Sequence, residues 1–229
     1  MSLTRLEALV GTRNLVRLRT LTVLVCGLGG VGSFAAEALA RSGLGRLVLA
    51  DCDVVDETNK NRQLVALSST VGQRKTAVMA RRVRDIDPAV DVRLFEERID
   101  STNLDRLLDP RPDYVVDAID DVPAKVALIA RCAALGIKVV SSAGFANKRH
   151  PELIRIDALE KTSVDPLARV LRSRLRALRV PLSVPIVWST ESPSVPKTPG
   201  IRLGSCATVP SAAGLFLASK VLNDILEEE

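Results

Sequence analysis

Residues 21–62 decide the fold, and they read LTVLVCGLGGVGSFAAEALARSGLGRLVLADCDVVDETNKNR. The apolar run at residues 21–26 predicts a buried strand that enters a glycine-rich turn at residues 27–32. A helix is expected over residues 33–41 and a second strand over residues 46–50. Glycines at such a turn let the backbone approach a phosphate, and the following helix N-terminus offers free N–H groups. The stretch therefore predicts a nucleotide site.

Charged residues further along the chain bear on which nucleotide binds. Asp51 follows the second strand, where a carboxylate can accept hydrogen bonds from a ribose, as in NAD-binding proteins. A NAD-dependent oxidoreductase is therefore one interpretation. However, Arg62, Lys75 and Asp120 also lie in polar segments around the predicted strands. ATP cleavage needs such a set, because cations balance the triphosphate and a carboxylate holds Mg²⁺.

Strands and helices alternate along the first two thirds of the chain. Further strands are expected at residues 90–95, 113–119 and 137–141, with helices at 71–84, 103–108 and 123–135. Residues 1–20 read as one amphipathic helix. This order predicts an α/β fold, with a Rossmann-like, mostly parallel sheet flanked by helices. Asp120 would then follow a strand at the same sheet edge as Gly29 and Asp51.

We divide the single domain into a nucleotide-binding core, residues 1–147, and a basic, substrate-side part, residues 148–229. Residues 166–179 predict an amphipathic helix, whose arginine stripe is Arg169, Arg172, Arg176 and Arg179. A solvated helix face and a footprint for a nucleic-acid backbone both explain this stripe. Residues 180–199 are rich in proline and predict a surface loop. Residues 214–226 predict a final helix packed on the domain.

Composition narrows the function classes. The net charge of +5 is compatible with a polyanionic partner, whereas 3% aromatic residues disfavour base stacking on aromatic platforms. The cysteines form no C-x-x-C pair and the chain has one histidine, so a Cys/His metal cluster is disfavoured. Scattered thiols are typical of the reducing cytosol, and we expect a cytoplasmic protein. We expect no membrane span and no signal peptide.

Four motifs together resemble the ubiquitin-activating-enzyme-like superfamily of adenylating enzymes: GLGGVGS, DCDVVDETNKNRQ, VGQRK and DAIDD. Within it, SSAGFANKRHPELIRI and KTSVDPLARVLRSRLR resemble the tRNA threonylcarbamoyladenosine dehydratase branch. The resemblance implies ATP-dependent adenylation of the threonyl carboxylate of threonylcarbamoyladenosine in tRNA. The carbamoyl group would then close an oxazolone ring and release AMP.

The resemblance also implies a role for each matching residue. The phosphates would be lined by Gly27, Gly29, Gly30 and Gly32. Asp51 would hold the ribose hydroxyls, and Asp53 belongs to the same cofactor-binding set. The triphosphate would be held by Asn59, Arg62 and Lys75, and Mg²⁺ by Asp120. Arg5 would reach the partner's nucleotide in a homodimer. The expected tRNA contacts are Lys148, Arg149, Arg169, Arg172, Arg176 and Arg179.

Two alternatives to the dehydratase remain. Sulfur-carrier activators share the superfamily motifs but commonly carry two C-x-x-C zinc pairs, which this chain lacks. A NAD-dependent oxidoreductase would need an acid–base set, yet His150 lies in a basic loop. Cys206 could be a catalytic or sulfur-accepting thiol, but we expect a small buried residue. We expect Cys52 in the core too. A sulfur-relay protein partner and the choice of tRNAs stay open.

Overall fold

The computed structural model describes residues 1–193 and 203–227. Its seven-stranded sheet has the order β3-β2-β1-β4-β5-β7-β6, and only β6 is antiparallel to its neighbour, β7. The Rossmann-like, mostly parallel sheet predicted from the sequence is confirmed. The strands are β1 (Thr22–Cys26), β2 (Arg46–Ala50), β3 (Asp91–Phe95), β4 (Tyr114–Asp117), β5 (Lys138–Ser142), β6 (Ile154–Ala158) and β7 (Pro185–Ser189).

Helices cover both faces of the sheet. The helices are α1 (Thr4–Val10), α2 (Thr12–Thr20), α3 (Gly32–Arg41), α4 (Lys75–Ile86), α5 (Leu104–Leu107), α6 (Val122–Leu135), α7 (Pro166–Ala177) and α8 (Thr208–Leu226). The apolar cluster on one face contains residues of α3, α4 and α8, and that on the other contains residues of α5 and α6. The helix α7 packs on α6. Because both faces are covered, all five residues of β1 are buried.

The sequence prediction of one helix over the first 20 residues is wrong. They form two helices, α1 and α2, rather than one. Gly11 separates them with φ of +81°, a left-handed conformation that a helix cannot contain. A single amphipathic helix would place Leu9 on its apolar side with Leu3 and Leu6, whereas in the structure Leu9 is 81% exposed.

The proline-rich segment also differs from its prediction. Residues 185–189 form the strand β7, in which Ile186, Val187 and Trp188 are buried. Proline is tolerated at the first residue of a strand, which is where Pro185 stands. The last part of the predicted loop, residues 194–199, lies outside the described residues. The strand β6 was also missing from the sequence prediction.

The final helix begins earlier than predicted, and the helix α7 buries fewer apolar residues than its pattern indicated. The final helix, α8, begins at Thr208, six residues before the predicted start. It is long and apolar enough to cross a membrane, but within this structure it packs on α3 and the sheet. The apolar pattern of residues 166–179 includes Val170, Leu171, Leu175 and Leu178. Leu171 and Leu175 are buried, whereas Val170 and the C-cap residue Leu178 are 39% and 57% exposed. The buried face of α7 is therefore narrower than the apolar pattern indicated.

Candidate functional site

The glycine turn lies at the carboxyl edge of the parallel strands, beside the point where the chain order reverses from β1–β2–β3 to β4. Gly27 has φ of +87°, and a Cβ atom there would lie 2.6 Å from the carbonyl oxygen of Ala118. A Cβ atom on Gly32 would lie 1.8 Å from the carbonyl oxygen of Gly27. The first and last glycines are therefore required by the packing of the turn itself.

The middle of the turn presents its backbone N–H groups. In the part of the chain that the structure describes, the N–H groups of Gly29, Gly30 and Val31 have no acceptor. Val31 is the N-cap of α3 and provides no side-chain cap. A Cβ atom on Gly29 would meet no atom closer than 3.9 Å. Free N–H groups at a helix N-terminus bind anions, so this nest fits a phosphate.

Asp51 is fixed against the turn. Its Oδ2 accepts a hydrogen bond of 2.6 Å from the N–H of Leu28, and its Oδ1 accepts one of 2.8 Å from the N–H of Asp53. Burial raises the pKa of Asp51, and the positive charge of Lys75 and these two hydrogen bonds oppose the rise. The carboxylate is thereby held against the glycine turn that carries the nest.

Lys75 is the first residue of α4, and it pairs with Asp53, whose backbone N–H is bonded to Asp51. Its Nζ lies 2.7 Å from Oδ2 of Asp53, and its side chain is 6% exposed while that of Asp53 is 62% exposed. A backbone hydrogen bond of 3.1 Å also links Lys75 N–H to the Asp53 carbonyl. The structure thus brings together three predicted cofactor residues, Asp51, Asp53 and Lys75.

Asn59 and Arg62 lie in the loop between β2 and α4. The side-chain oxygen of Asn59 accepts from the N–H of Asp56 in a capping box, which fixes the short 3₁₀ helix Glu57–Asn59. The carbonyl of Asn59 accepts from Arg62 N–H at 3.1 Å. This places Cγ of Arg62 3.4 Å from the Cβ position of Gly30. The stem of the Arg62 side chain therefore lies against the glycine turn, while its guanidinium donates to the Thr58 carbonyl at 3.0 Å and to Oδ1 of Asn61 at 2.8 Å. Asn59 shapes the loop that carries Arg62.

Asp120 and Asp121 follow β4 but have different environments. The carboxylate of Asp121 caps α6 through the N–H of Ala124 at 2.9 Å and pairs with Arg98 at 3.0 Å. Asp120 is exposed, and no other described residue pairs with its carboxylate. Within the described chain no three His, Cys, Asp or Glu residues cluster as a metal cage. A single free carboxylate fits Mg²⁺, which is usually held by one or two carboxylates plus substrate phosphates.

Sequence reasoning missed a buried polar cluster under the loop that carries Asp120. Nζ of Lys125 lies 2.8 Å from Oδ2 of Asp117 and 3.1 Å from Oγ of Ser141, and all three residues are at most 1% exposed. Asp117 Oδ1 also accepts from the N–H of Ile119 at 3.2 Å. The sequence feature that could have revealed this cluster is the single lysine within the apolar helix segment PAKVALIA.

The predicted tRNA-contact arginines of the C-terminal part differ in their exposure. Arg149, Arg169, Arg176 and Arg179 are exposed. Arg172 is half-buried and donates to the carbonyl of Thr162 at 3.0 Å.

Lys148 does not belong to this basic surface. It is 2% exposed, and its Nζ donates to Asp165 Oδ2 at 2.8 Å and to the Gly144 carbonyl at 2.7 Å. Its ammonium group is paired inside the protein, on the residue that caps α7. This placement argues against the predicted tRNA contact of Lys148.

Arg5 lies far from the glycine turn of its own chain. It is exposed on α1 and lines a shallow cavity with Arg41, the last residue of α3. The glycine turn is at the other end of that ten-residue helix, about 15 Å away at 1.5 Å per residue.

A C-terminal segment, residues 203–210, closes over the glycine turn. Gly204 and Asn147 exchange two hydrogen bonds of 2.7 and 2.8 Å, and Asn61 donates to the carbonyl of Ser205 at 3.0 Å. The Cβ atom of Pro210 lies 3.2 Å from the Cβ position of Gly30. The segment therefore joins the nucleotide-binding core to the basic part.

Two cysteines that were expected to be buried are partly exposed. Cys206 is half-buried rather than fully buried, and a hydrogen bond with the Thr208 hydroxyl lowers its pKa. Cys52 is also only half-buried, and desolvation and the nearby Asp53 carboxylate raise its pKa. Cys26 and Cys132, for which the sequence predicts a role in packing, are fully buried.

Comparison with known proteins agrees with this geometry. The ThiF family model matches residues 3–222. The tRNA threonylcarbamoyladenosine dehydratase of Bacillus subtilis is 42% identical over 98% of this chain and 94% of its own length. That of Escherichia coli is 39% identical over 86% of this chain and 76% of its own length. The crystal structure of E. coli TcdA in complex with ATP superposes with a TM-score of 0.91 at 36% identity, covering 97% of this chain and 93% of that one. These matches confirm the resemblance read from the motifs, and the chain is a member of the ThiF family.

Proposed function

We propose that this protein adenylates the threonyl carboxylate of threonylcarbamoyladenosine in tRNA and then cyclises it with release of AMP. The observation that carries the proposal is the nest of N–H groups at Gly29, Gly30 and Val31, with the stem of the Arg62 side chain against Gly30 and with Asp51 bonded to the same turn. Similarity over 97–98% of the chain to dehydratases, one of them in complex with ATP, supports the choice of nucleotide and substrate.

The first step is attack of the carboxylate on the α-phosphorus of ATP, with pyrophosphate leaving. The N–H groups of the nest hold phosphate oxygens, and Asp51 accepts from the ribose hydroxyls. Arg62 and Lys75 supply positive charge where negative charge develops. Asp120 is the residue that would hold Mg²⁺, which neutralises phosphate charge when bound.

The second step turns the mixed anhydride into the ring. Hydroxide is a poor leaving group from a carboxylic acid, whereas AMP leaves readily from the acyl-adenylate. The carbamoyl oxygen of the same side chain attacks the acyl carbon, AMP departs with the bonding electrons, and a urea nitrogen loses a proton to solvent. Nucleophile and electrophile belong to one molecule, so the protein needs only to hold them in a reactive orientation.

Product analysis tests the proposal. Purified protein and ATP are incubated with threonylcarbamoyl-modified tRNA, with unmodified tRNA, or with a small protein ending in Gly-Gly. We expect AMP only with modified tRNA, together with a nucleoside lighter by one water. AMP or pyrophosphate exchange that depends on the Gly-Gly protein would instead assign the chain to the sulfur-carrier activators.

We propose that two exposed arginines of α7, Arg169 and Arg176, contact the phosphate backbone of the tRNA. The substitutions Arg169→Glu and Arg176→Glu should each weaken tRNA binding and reduce the slope of log affinity against log salt by about one per contact. Arg84→Glu is the matched control, since Arg84 is exposed on α4 across the sheet. Equal losses in the control and the α7 variants would show a general charge effect and contradict a binding surface.

We also propose a homodimer in which Arg5 reaches the nucleotide of its partner. Its place at the far end of α3 excludes contact with the glycine turn of its own chain. The test mixes Arg5→Ala and Arg62→Ala subunits, each inactive alone. A mixed dimer contains one site with both arginines, so mixing should restore AMP formation. No recovery after confirmed subunit exchange would refute action across subunits.

A further inference from the structure

A buried ion pair that the proposed chemistry does not use lies at the end of β4. The ammonium group of Lys125 donates to Oδ2 of Asp117 at 2.8 Å and to its backbone carbonyl at 3.3 Å. The hydroxyl of Ser141, which is opposite Asp117 on β5, donates to the same Oδ2 at 2.7 Å. Both charged side chains are fully buried. The pair therefore acts on other parts of the protein and not directly on a ligand.

Stability alone does not explain a buried ion pair. The cost of removing two charges from water opposes their attraction, and replacing such a pair with apolar residues of similar volume is often neutral or stabilising. The pair of Lys125 and Asp117 therefore calls for a role beyond stability, and the segment bonded to Asp117 provides one.

The carboxylate of Asp117 holds the segment that carries Asp120. While Lys125 and Ser141 bind its Oδ2, its Oδ1 accepts a hydrogen bond of 3.2 Å from the N–H of Ile119. This bond joins a side chain to the backbone two residues on, as in an Asx turn. It therefore fixes the chain where it leaves β4, one residue before Asp120.

The chain is also fixed on the other side of Asp120. The carboxylate of Asp121 caps α6 through the N–H of Ala124 at 2.9 Å. Asp120 itself is exposed, and within the described part of the chain its carboxylate has no partner. The fold thus holds the backbone on both sides and leaves the side chain available. A metal ligand supported in this way is in place before the ion arrives.

On the basis of the proposed assignment of Mg²⁺ to Asp120, we propose that Asp117 is a positioning residue for that carboxylate. Its bond to Ile119 keeps the backbone next to Asp120 in one orientation. Lys125 and Ser141 act one step further away, because they hold the carboxylate of Asp117.

Two double variants separate this hydrogen bond from the charges. The acceptor-keeping variant, Asp117→Asn/Lys125→Met, removes both charges and retains an oxygen at the Oδ1 position. The acceptor-free variant, Asp117→Leu/Lys125→Met, has a side chain of the same shape at residue 117 but no acceptor. Neither variant leaves a buried charge unpaired, so both should fold.

The measured quantity is the Mg²⁺ factor, which is the Kd for ATP in EDTA divided by the Kd for ATP in excess Mg²⁺. We expect it to stay within about threefold of wild type in the acceptor-keeping variant and to fall about tenfold in the acceptor-free variant. Ala118, which contacts Gly27, keeps its backbone bond to the Cys26 carbonyl at 2.8 Å. The Kd for ATP in EDTA should therefore change by less than about twofold in both variants.

Two controls accompany the measurement. Tyr114→Phe lies at the other end of β4 and removes the hydrogen bond of the Tyr114 hydroxyl to Asp224 at 2.6 Å. It should lower the unfolding temperature and leave the Mg²⁺ factor unchanged. The second control places both double variants in an Asp120→Ala background. No carboxylate is then left to position, so their Mg²⁺ factors should agree within about twofold.

The outcomes separate the claims. Equal Mg²⁺ factors in the two folded double variants overturn the inference. A difference that persists in the Asp120→Ala background, or an equal loss in Tyr114→Phe, also overturns it, because the effect would not act through Asp120. If the acceptor-free variant does not fold, a loss of about tenfold in the acceptor-keeping variant overturns the inference, and a retained factor supports it.

Two further results concern the proposed function. A wild type without a Mg²⁺ factor, or an unchanged factor in Asp120→Ala, overturns the assignment of Mg²⁺ to Asp120 and with it the inference. A normal Mg²⁺ factor in a wild type that forms no AMP with modified tRNA overturns the proposed reaction alone.

Discussion

Replacing Gly29 with alanine should damage nucleotide binding while sparing the fold. A Cβ atom at this position would have no neighbour closer than 3.9 Å, so the free energy of unfolding should change by less than about 1 kcal/mol. With phosphate in the nest, the methyl group would occupy the space that the anion approaches. The loss of one charge-assisted hydrogen bond costs about 1.5–3 kcal/mol, or about 10- to 150-fold in Kd for ATP.

Gly32→Ala is the contrasting variant within the same turn. Its Cβ atom would lie 1.8 Å from the carbonyl oxygen of Gly27, so the backbone must move, at more than about 4 kcal/mol. Denaturant unfolding and equilibrium ATP binding would be measured for both variants. An unchanged Kd in folded Gly29→Ala would refute the assignment of the nest to phosphate, and a fully stable Gly32→Ala would refute the packing argument.

Three further predictions concern titratable groups of the site. Lys125→Met should destabilise the protein by about 3–5 kcal/mol in thermal or denaturant unfolding, because Asp117 keeps a buried charge without its partner; wild-type stability would contradict this. Cys206 should be alkylated at a lower pH than Cys52, since a hydrogen bond lowers the pKa of Cys206 and burial raises that of Cys52; mass spectrometry showing the reverse order would refute it. Burial raises the pKa of Asp51, so ATP affinity should begin to fall on acidification at a higher pH than it would with an ordinary aspartate. An identical acid limb in the pH profile of Asp51→Asn would exclude this carboxylate as its source.

The sequence was sufficient for the nucleotide-binding half because its signals are local. The strand, glycine turn and helix are adjacent in the chain, and β1, α3 and β2 were found with their bounds correct to within one residue. The strand β7 was missed because its formation depends on pairing with β5 and β6, which no local pattern shows, and prolines around it favoured a loop.

The buried ion pairs were beyond sequence reasoning for the same reason. Lys148 lies in a basic stretch and resembles a surface residue, but its partner, Asp165, is 17 positions away and meets it only in the folded chain. A sequence motif shows where a residue lies along the chain, whereas its hydrogen-bond partners are set by the folded structure.

Transfer of isotope from the substrate tests the central claim most directly. Modified tRNA carrying ¹⁸O in both carboxylate oxygens of its threonyl group is incubated with the protein and ATP, and the released AMP is analysed by mass spectrometry. Adenylation of the carboxylate followed by ring closure predicts one ¹⁸O atom in each AMP and the other in the cyclic product. AMP without ¹⁸O, formed at the same rate as product, would contradict the account.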